Sequence, residues 1–454
     1  MWRFSRTAFS AGLILLLLAG ALEAQEARFA GEIPHETYLL DNGLRVILAP
    51  DPTATAVAVN IWYDVGSRHE PPGRSGFGHL FEHLMFEGSE RVPRGTFDQL
   101  INEAGGSANA SITEDRTNYF ATVPSSQLAR VLWLEADRME ALLVTEESMR
   151  REIEVVKEER RLRVDNAPYG PASLQARFYA PYDSTNCFAY AHSVIGSMED
   201  LDAAQLVDVQ AFFDTYYVPN NATLTLVGAF DADVARDLIH QYFSAIASAP
   251  EPAEPRCEDP FRHLPVNLEL DDAAARLPGA FISYGSVAVG HPDSYALNLL
   301  GAILGAGQTS RLHRRLVREE RAALQAGAAS NTRRGPGLFV VNTIANQGVT
   351  AERLIELVDE EIDRIRREGV SQDELERAKN RARASTIIGG QTVMGRAEAL
   401  QRANHFLGDP GAYRAEMERT QAVTADQIQA VAQRYLTEAN RAVVIARPAT
   451  EETP

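Results

Sequence analysis

A repeated landmark divides the chain into two halves of similar kind. Tyr216 ends a predicted helix and is followed by Asn221 and an apolar strand, and Tyr435 and Asn440 stand in the same relation. Both landmarks recur at one offset (435 − 216 = 219 and 440 − 221 = 219). Matching helix and strand around both landmarks predict two copies of one α/β unit.

A stretch rich in proline and glutamate, residues 249–255, has linker composition and separates the halves. We therefore expect an N-terminal domain over residues 30–247, a linker over 248–262 and a C-terminal domain over 263–448. The chain has 454 residues, of which 45% are hydrophobic and 23% charged. Such a chain can bury a full core and divide into two or more domains.

Local patterns predict the main elements of each half. Asn42 and Gly43 supply the positive φ angles of a tight turn, so the flanking segments are expected to form a β-hairpin. Further strands are predicted at 56–64, 107–113, 118–123, 279–286 and 338–343. Helices are predicted at 128–142, 146–164, 351–367 and 371–384.

One short segment carries the residues of a metal site. His79, Glu82 and His83 form a His-x-x-Glu-His motif. On a helix, positions three and four apart share one face, so both imidazoles and the carboxylate would project toward one point. Two neutral imidazoles can bind zinc, and a catalytic zinc site takes three protein ligands and leaves a fourth position to water. Glu82 could then accept that water's proton.

A helix further along the chain offers a third ligand. Glu152 and Glu159 lie seven residues apart in a segment without glycine or proline, so their carboxylates face the same way about two turns apart. The alternative is a solvated helix face held by ion pairs, because runs of Glu, Lys and Arg usually form one.

The motif together with Glu159, which follows His83 by 76 positions (159 − 83 = 76), resembles the pitrilysin/insulinase family of zinc peptidases. The resemblance spans roughly residues 33 to 447 and includes segments 105–119 and 196–201. It implies an α+β fold of two homologous α/β-sandwich domains, each an antiparallel-rich sheet packed with helices. The C-terminal domain would lack the zinc motif.

The resemblance also implies roles for individual residues. His79, His83 and Glu159 would bind one Zn²⁺ per chain, Glu82 would act as the general base, and Glu152 would support the site as a second carboxylate. The implied activity is a zinc-dependent endopeptidase acting on peptides or unfolded polypeptide segments. The alternatives are a noncatalytic assembly subunit and a peptide-binding module of the same fold.

A strand of the first half is expected to hold the substrate. The resemblance makes 107–113 an edge strand to which a peptide adds as a further strand, held by main-chain hydrogen bonds. Asn109 and Ala110 would lie nearest to the substrate backbone. For Asn109 the alternative is an asparagine at a turn or a strand end.

The second half departs from the family at one position. Many members carry Arg-x₆-Tyr there, a pair that contacts the peptide beside the scissile bond. Arg318 matches the arginine, but Gln325 stands where tyrosine is expected. Our hypothesis is that this chain is the catalytic subunit of a homodimer or heterodimer, in which a related partner supplies the Arg/Tyr pair.

The N-terminus predicts export. Arg3 and Arg6 precede the apolar run 11–21, and small residues follow, as in a secretory signal peptide over residues 1–24. The run is well short of the ~20 apolar residues of a spanning helix, so a stable membrane anchor is not expected. We expect cleavage after Ala21 or Ala24 and delivery to the periplasm.

Charge and cysteine content restrict partners and chemistry. The net charge of −18 argues against a nucleic-acid partner, because phosphate binding needs a basic face. Cys187 and Cys257, the two cysteines, are outside any Cys-x-x-Cys pattern and are not expected to bind metal. In an exported protein they could form a disulfide or remain as two buried thiols.

Overall fold

Two β-sheets, one from each half of the chain, form the framework of this computed structural model, which describes residues 33–449. The predicted signal segment, residues 1–24, lies outside this range. Within the described range, none of the helices combines the length and apolarity that crossing a bilayer requires.

The first sheet has the strand order β1-β2-β6-β3-β5-β4. Its strands are β1 (Glu36–Leu39), β2 (Arg45–Pro50), β3 (Ala56–Tyr63), β4 (Ser107–Ile112), β5 (Thr117–Pro124) and β6 (Ala222–Gly228). Strands β2 and β6 pair in parallel, and the other neighbours pair antiparallel. The predicted hairpin is confirmed as β1 and β2, with Gly43 at a φ of 87° in its turn.

The first half contains eight α-helices among the described residues. They are α1 (Phe77–Leu84), α2 (Thr96–Glu103), α3 (Leu128–Ala141), α4 (Glu146–Arg160), α5 (Gly170–Leu174), α6 (Met198–Asp202), α7 (Leu206–Tyr216) and α8 (Ala232–Phe243). All but α5 lie on one side of this sheet. Leu80, Val131, Ile153 and Ile239 from four of them are buried in one cluster with Leu48 of β2. This burial of apolar surface is the main force that fixes the helices on the sheet.

The second sheet repeats the first without its β1. Its strands are β7 (Val266–Asp272), β8 (Gly279–Gly285), β9 (Ala323–Asn331), β10 (Leu338–Ala345) and β11 (Arg441–Pro448), in the order β7-β11-β8-β10-β9. Here β7 and β11 are the parallel pair. The predicted fold class, an α+β chain of two related domains, is therefore confirmed.

The second half contains six longer helices among the described residues. They are α9 (Pro292–Gly305), α10 (Ala351–Glu368), α11 (Gln372–Gly389), α12 (Val393–Leu407), α13 (Tyr413–Ala422) and α14 (Ala425–Tyr435). The predicted helix 371–384 thus extends five residues further than its sequence pattern indicated. In the first half, the predicted helix 146–164 is α4 followed by a wider helical turn, Arg161–Asp165.

The two halves exchange helices. Helix α12 of the second half packs on the outer face of the first sheet, where Ala397 and Leu400 contact the cluster of Ile47, Ala58 and Val227. In return, α5 and the turn after it pack on the second sheet, in a buried cluster of Ala172, Ala176, Phe281, Ala442 and Val444. One face of each sheet is therefore covered by a helix that belongs to the other half of the chain.

A disulfide joins the first half to the linker. Cys187 and Cys257 are bonded, and 70 positions of sequence separate them. Of the two alternatives that the sequence left open, the structure has the disulfide. The bond ties the loop before α6 to the segment that leads into the second sheet.

Candidate metal centre

Helix α1 carries the His-x-x-Glu-His motif. Its residues Leu80, Phe81 and Leu84 are buried against the first sheet, which turns the opposite stripe of the helix away from the core. His79 and His83 lie on that stripe one turn apart, with their ring centroids 4.9 Å from each other. The local sequence therefore presents both imidazoles on one side of the helix.

Helix α4 presents the two carboxylates. Thr145 caps its first turn, since the Thr145 hydroxyl accepts from the amide of Ser148 and the Ser148 hydroxyl bonds back to the Thr145 amide. Ile153 and Val156 are buried and set the rotation of the helix. Because α4 packs against α1, Glu152 and Glu159 face the motif.

Three side chains that the sequence analysis named converge on one point. The Oε2 atom of Glu159 lies 3.6 Å from Nε2 of His79 and 3.4 Å from Nε2 of His83. One potential ligand atom from each residue falls within 4.8 Å of the others. A tetrahedral zinc with bonds of about 2.0 Å needs ligand atoms roughly 3.3 Å apart, so the spacing suits such an ion.

The donor set also suits zinc. Two imidazole nitrogens and one carboxylate oxygen form a His₂Glu set, which occurs in catalytic zinc sites. Nδ1 of His83 lies 3.4 Å from Oε2 of Glu152, so this second carboxylate can fix the ring's orientation. Nδ1 of His79 is buried and has no hydrogen-bond partner within residues 33–449.

Burial and charge shift the pKa values of the site. Burial raises the pKa of Glu82 to about 7, so this carboxylate can accept and release a proton near neutral pH. Burial and the neighbouring His83 lower the pKa of His79 to about 4. Burial also disfavours protonation of His83, but Glu152 and Glu159 outweigh it and raise its pKa to about 9.

The predicted substrate strand lies at the open edge of the first sheet. Strand β4 pairs with β5 on one side, contacts α1, and is the last strand in the sheet order. Asn109 is exposed on it, and the Ala110 amide donates to Oδ1 of Asn109 at 2.8 Å. A peptide that paired with Ala110 would therefore replace this local hydrogen bond.

Arg318 lies in the second half of the chain, whereas the His-x-x-Glu-His motif lies in the first. It belongs to a helical turn, His313–Glu319, is exposed, and donates to Oε1 of Gln308 at 3.0 Å. Gln325 is exposed on β9, which is the edge strand of the second sheet. Within residues 33–449 of one chain, no hydrogen bond or ion pair joins Arg318 or Gln325 to the His79 cluster.

Two residues near the site were missed by the sequence analysis. The buried carboxylate of Glu70 accepts from backbone amides at the start of α1 and lies 3.0 Å from Nε2 of His192. The two residues are 122 positions apart, and neither stands in a recognisable motif. No local signal in the sequence could have paired them.

Comparisons with known proteins agree with this fold. Residues 45–180 match the insulinase (peptidase family M16) domain, and residues 204–382 match the peptidase M16 inactive domain. The zinc protease PqqE of Helicobacter pylori is 30% identical over 383 residues, which are 83% of each chain. A probable mitochondrial-processing peptidase subunit beta of Arabidopsis thaliana is 23% identical over 411 residues, 87% of this chain and 75% of that protein.

A solved structure extends the likeness to three dimensions. The crystal structure of a protease from Helicobacter pylori matches with a TM-score of 0.85 and 27% identity, over 92% of this chain and 100% of that one. Fold, family domains and a relative of 30% identity agree. This chain belongs to the M16 (insulinase/pitrilysin) family of peptidases.

Proposed function

We propose that this chain is a zinc-dependent endopeptidase that hydrolyses peptides or unfolded polypeptide segments. The observation that carries the proposal is the convergence of His79, His83 and Glu159 between α1 and α4. These three residues would hold Zn²⁺, and Glu152 would orient His83. The names of its relatives as zinc proteases support the same assignment.

The chain's own residues supply the remaining parts of the reaction. When bound, zinc provides Lewis-acid polarisation of a carbonyl oxygen and lowers the pKa of water. Glu82 takes the proton of the attacking water and returns it to the leaving amine, a role that its raised pKa suits. Strand β4 holds the substrate as an added strand, with Asn109 and Ala110 nearest to its backbone.

The proposal is tested with the mature chain, its zinc content and a library of fluorogenic peptides. We expect one zinc per chain and turnover that Glu82→Gln lowers by about 10²–10⁴-fold without loss of zinc. Glu147→Gln is the matched control, because Glu147 is 91% exposed at the start of the same helix as Glu159. Full turnover by the Glu82 variant would refute the role of this residue.

A second candidate is a noncatalytic subunit that binds peptides or supports assembly. The match of residues 204–382 to an inactive domain and the presence of Gln325 favour it. We propose instead that a related partner in a heterodimer supplies the Arg/Tyr pair, since an identical copy in a homodimer would bring Gln325 again. Turnover by the isolated chain would exclude an obligate partner. Zinc binding without turnover, restored by a partner, would support one.

We also propose export to the periplasm. The basic residues Arg3 and Arg6 and the apolar run 11–21 support a cleaved signal peptide. The mass of the protein recovered from the periplasmic fraction tests this, with Leu22 or Gln25 expected as its first residue. An intact chain that starts at Met1 and remains in the cytoplasm would refute export.

A further inference from the structure

A buried carboxylate holds the start of helix α1. Oε2 of Glu70 accepts from the amide of Gly76 at 2.8 Å, and Oε1 accepts from the amide of Gly78 at 2.6 Å. The first amides of a helix have no partner within it, and the helix dipole favours a negative charge at that end. Gly78 directly precedes His79, so Glu70 acts on the turn that carries the first imidazole.

His192 in turn holds Glu70. Its Nε2 lies 3.0 Å from Oε2 of Glu70, and its Nδ1 lies 2.7 Å from the carbonyl oxygen of Phe188. The Phe188 and Ser67 carbonyl oxygens, which only accept hydrogen bonds, face Nδ1 and Nε2, an arrangement that favours the imidazolium. Burial lowers the pKa of His192, but the hydrogen bond to Glu70 outweighs it and raises that pKa. The side chains of Glu70 and His192 are both almost fully buried, so their contact is shielded from water.

The segment that follows His192 reaches both helices of the candidate metal centre. We name residues 192–202 the bracket. Its Gly196 lies so close to α1 that a Cβ there would stand 2.5 Å from Cα of Gly76, and its carbonyl accepts from Arg160 at the end of α4. Two further contacts join the bracket to these regions: Asp200 with Ser75, and Asp202 with Lys157.

We propose that Glu70 and His192 are positioning residues, which fix α1 against the bracket and thereby against α4, so that His79 and His83 meet Glu159. The inference rests on the proposed zinc site. It adds to that site two residues, Glu70 and His192, that do not themselves bind the metal. Buried ion pairs add little net stability compared with apolar packing, whereas the loss of one partner leaves an uncompensated charge. The intact pair is therefore expected to act through the geometry of the site, whereas its single substitutions are also expected to lower stability.

The test compares Glu70→Gln and His192→Gln with His240→Gln, a control at an exposed position of α8. Zinc dissociation constants come from competition with a chromophoric chelator, and the visible spectrum of Co²⁺-loaded protein reports ligand geometry. We expect zinc to bind about 10–100-fold more weakly in both test variants, as for other residues that orient ligands. The cobalt spectrum should change in both and stay unchanged in the control.

Amide hydrogen exchange of metal-free protein separates this inference from the proposed function. Faster exchange of the α1 amides, residues 77–84, in both variants supports the positioning role, provided that exchange in α3, residues 128–141, is unchanged. This result would hold even if the wild-type protein bound no zinc. Failure of the wild type to bind zinc would refute the zinc site and leave the positioning role standing. Unchanged zinc affinity, cobalt spectrum and exchange in both variants would overturn the inference.

A milder variant covers the case in which the buried substitutions prevent folding. Asp202 is exposed and bonds to Lys157 at 2.7 Å, so Asp202→Asn loosens the bracket while Lys157 keeps its ion pair with Glu154. We expect it to weaken zinc binding by about two- to fivefold, the effect of losing one partly exposed ion pair. Wild-type affinity in this variant would then overturn the inference.

Discussion

Asn221 and Asn440 make the same hydrogen bond in the two halves of the chain. Nδ2 of each side chain donates at 2.9 Å to the carbonyl of the tyrosine five residues earlier, Tyr216 or Tyr435. Each also reaches a second carbonyl on a neighbouring strand or its end. The asparagine thus closes the passage from α7 into β6 in the first half and from α14 into β11 in the second.

Removal of either amide is expected to destabilise its own half. Asn440→Ala deprives two carbonyl oxygens of a donor, at 2.8 and 2.9 Å, and should cost about 1–3 kcal/mol of unfolding free energy. Asn221→Ala should cost a similar amount. Urea denaturation measures both, and Asn267→Ala, at an exposed position of β7, serves as the control. Equal stability of all three variants would contradict the structural role.

Glu152 is expected to tune zinc affinity without supplying a ligand atom. Glu152→Gln weakens the contact with Nδ1 of His83 and should lower zinc affinity about 10–100-fold. Chelator competition measures the change, with Glu147→Gln as the exposed control on the same helix. Because Glu82 lies outside the ligand set, Glu82→Gln should keep the wild-type affinity. A Glu152 variant with wild-type affinity would show that the contact does not orient His83.

The disulfide is expected to stabilise the chain through its unfolded state. Closing a loop of 70 residues limits the freedom of the unfolded chain, which is worth about 4 kcal/mol in the chain-entropy estimate. Replacing both Cys187 and Cys257 by serine should lower the unfolding free energy by up to this amount. A reductant should destabilise wild-type protein and leave the double variant unchanged. Two titratable thiols in the unreduced, denatured wild type would contradict the bond.

The pair of Arg311 and Glu374 should contribute to stability that depends on pH. Burial raises the pKa of Glu374, but the two-pronged bond to Arg311 and the Ser371 amide outweigh it and lower the pKa from 4.5 to about 2. A pKa lowered by folding stabilises the protein above pH 4.5, and this contribution is lost as the pH falls from 4.5 toward 2.

Glu374→Gln should therefore be less stable than wild type at pH 7, and the difference should shrink as the pH falls through that window. Denaturation midpoints at several pH values measure it. Glu376→Gln, at an exposed position of the same helix, is the control. A difference that stays constant with pH would show that the ionised pair is not its source.

The exchanged helices predict that the halves do not fold independently. Without α12, the first sheet would expose Ile47, Ala58 and Val227 on its outer face. A chain that ends at residue 262 should therefore bind hydrophobic dyes and unfold with lower cooperativity than the full chain. Calorimetry and dye binding compare the two. A first half that melts cooperatively by itself, without dye binding, would refute this dependence.

Much of the local structure could be predicted from the sequence. Asn42 and Gly43 indicated the hairpin, and the spacing of His79, Glu82 and His83 placed them on one helix face, because both patterns depend on neighbouring residues alone. The seven-residue spacing of Glu152 and Glu159 likewise predicted that both carboxylates lie on one face of α4. The last five residues of α11 were missed, since Ser385 to Gly389 carry no apolar periodicity that would mark a helix.

By itself, the sequence determined the two-copy organisation, the family and the helix faces, because each depends on spacing along the chain. The tertiary structure decided which faces meet: the contact of α1 with α4, the exchange of α12 and α5, the disulfide, and the pairing of Glu70 with His192. These contacts join residues that are tens to hundreds of positions apart. They form only when burial of apolar surface brings whole elements together, which no local pattern encodes.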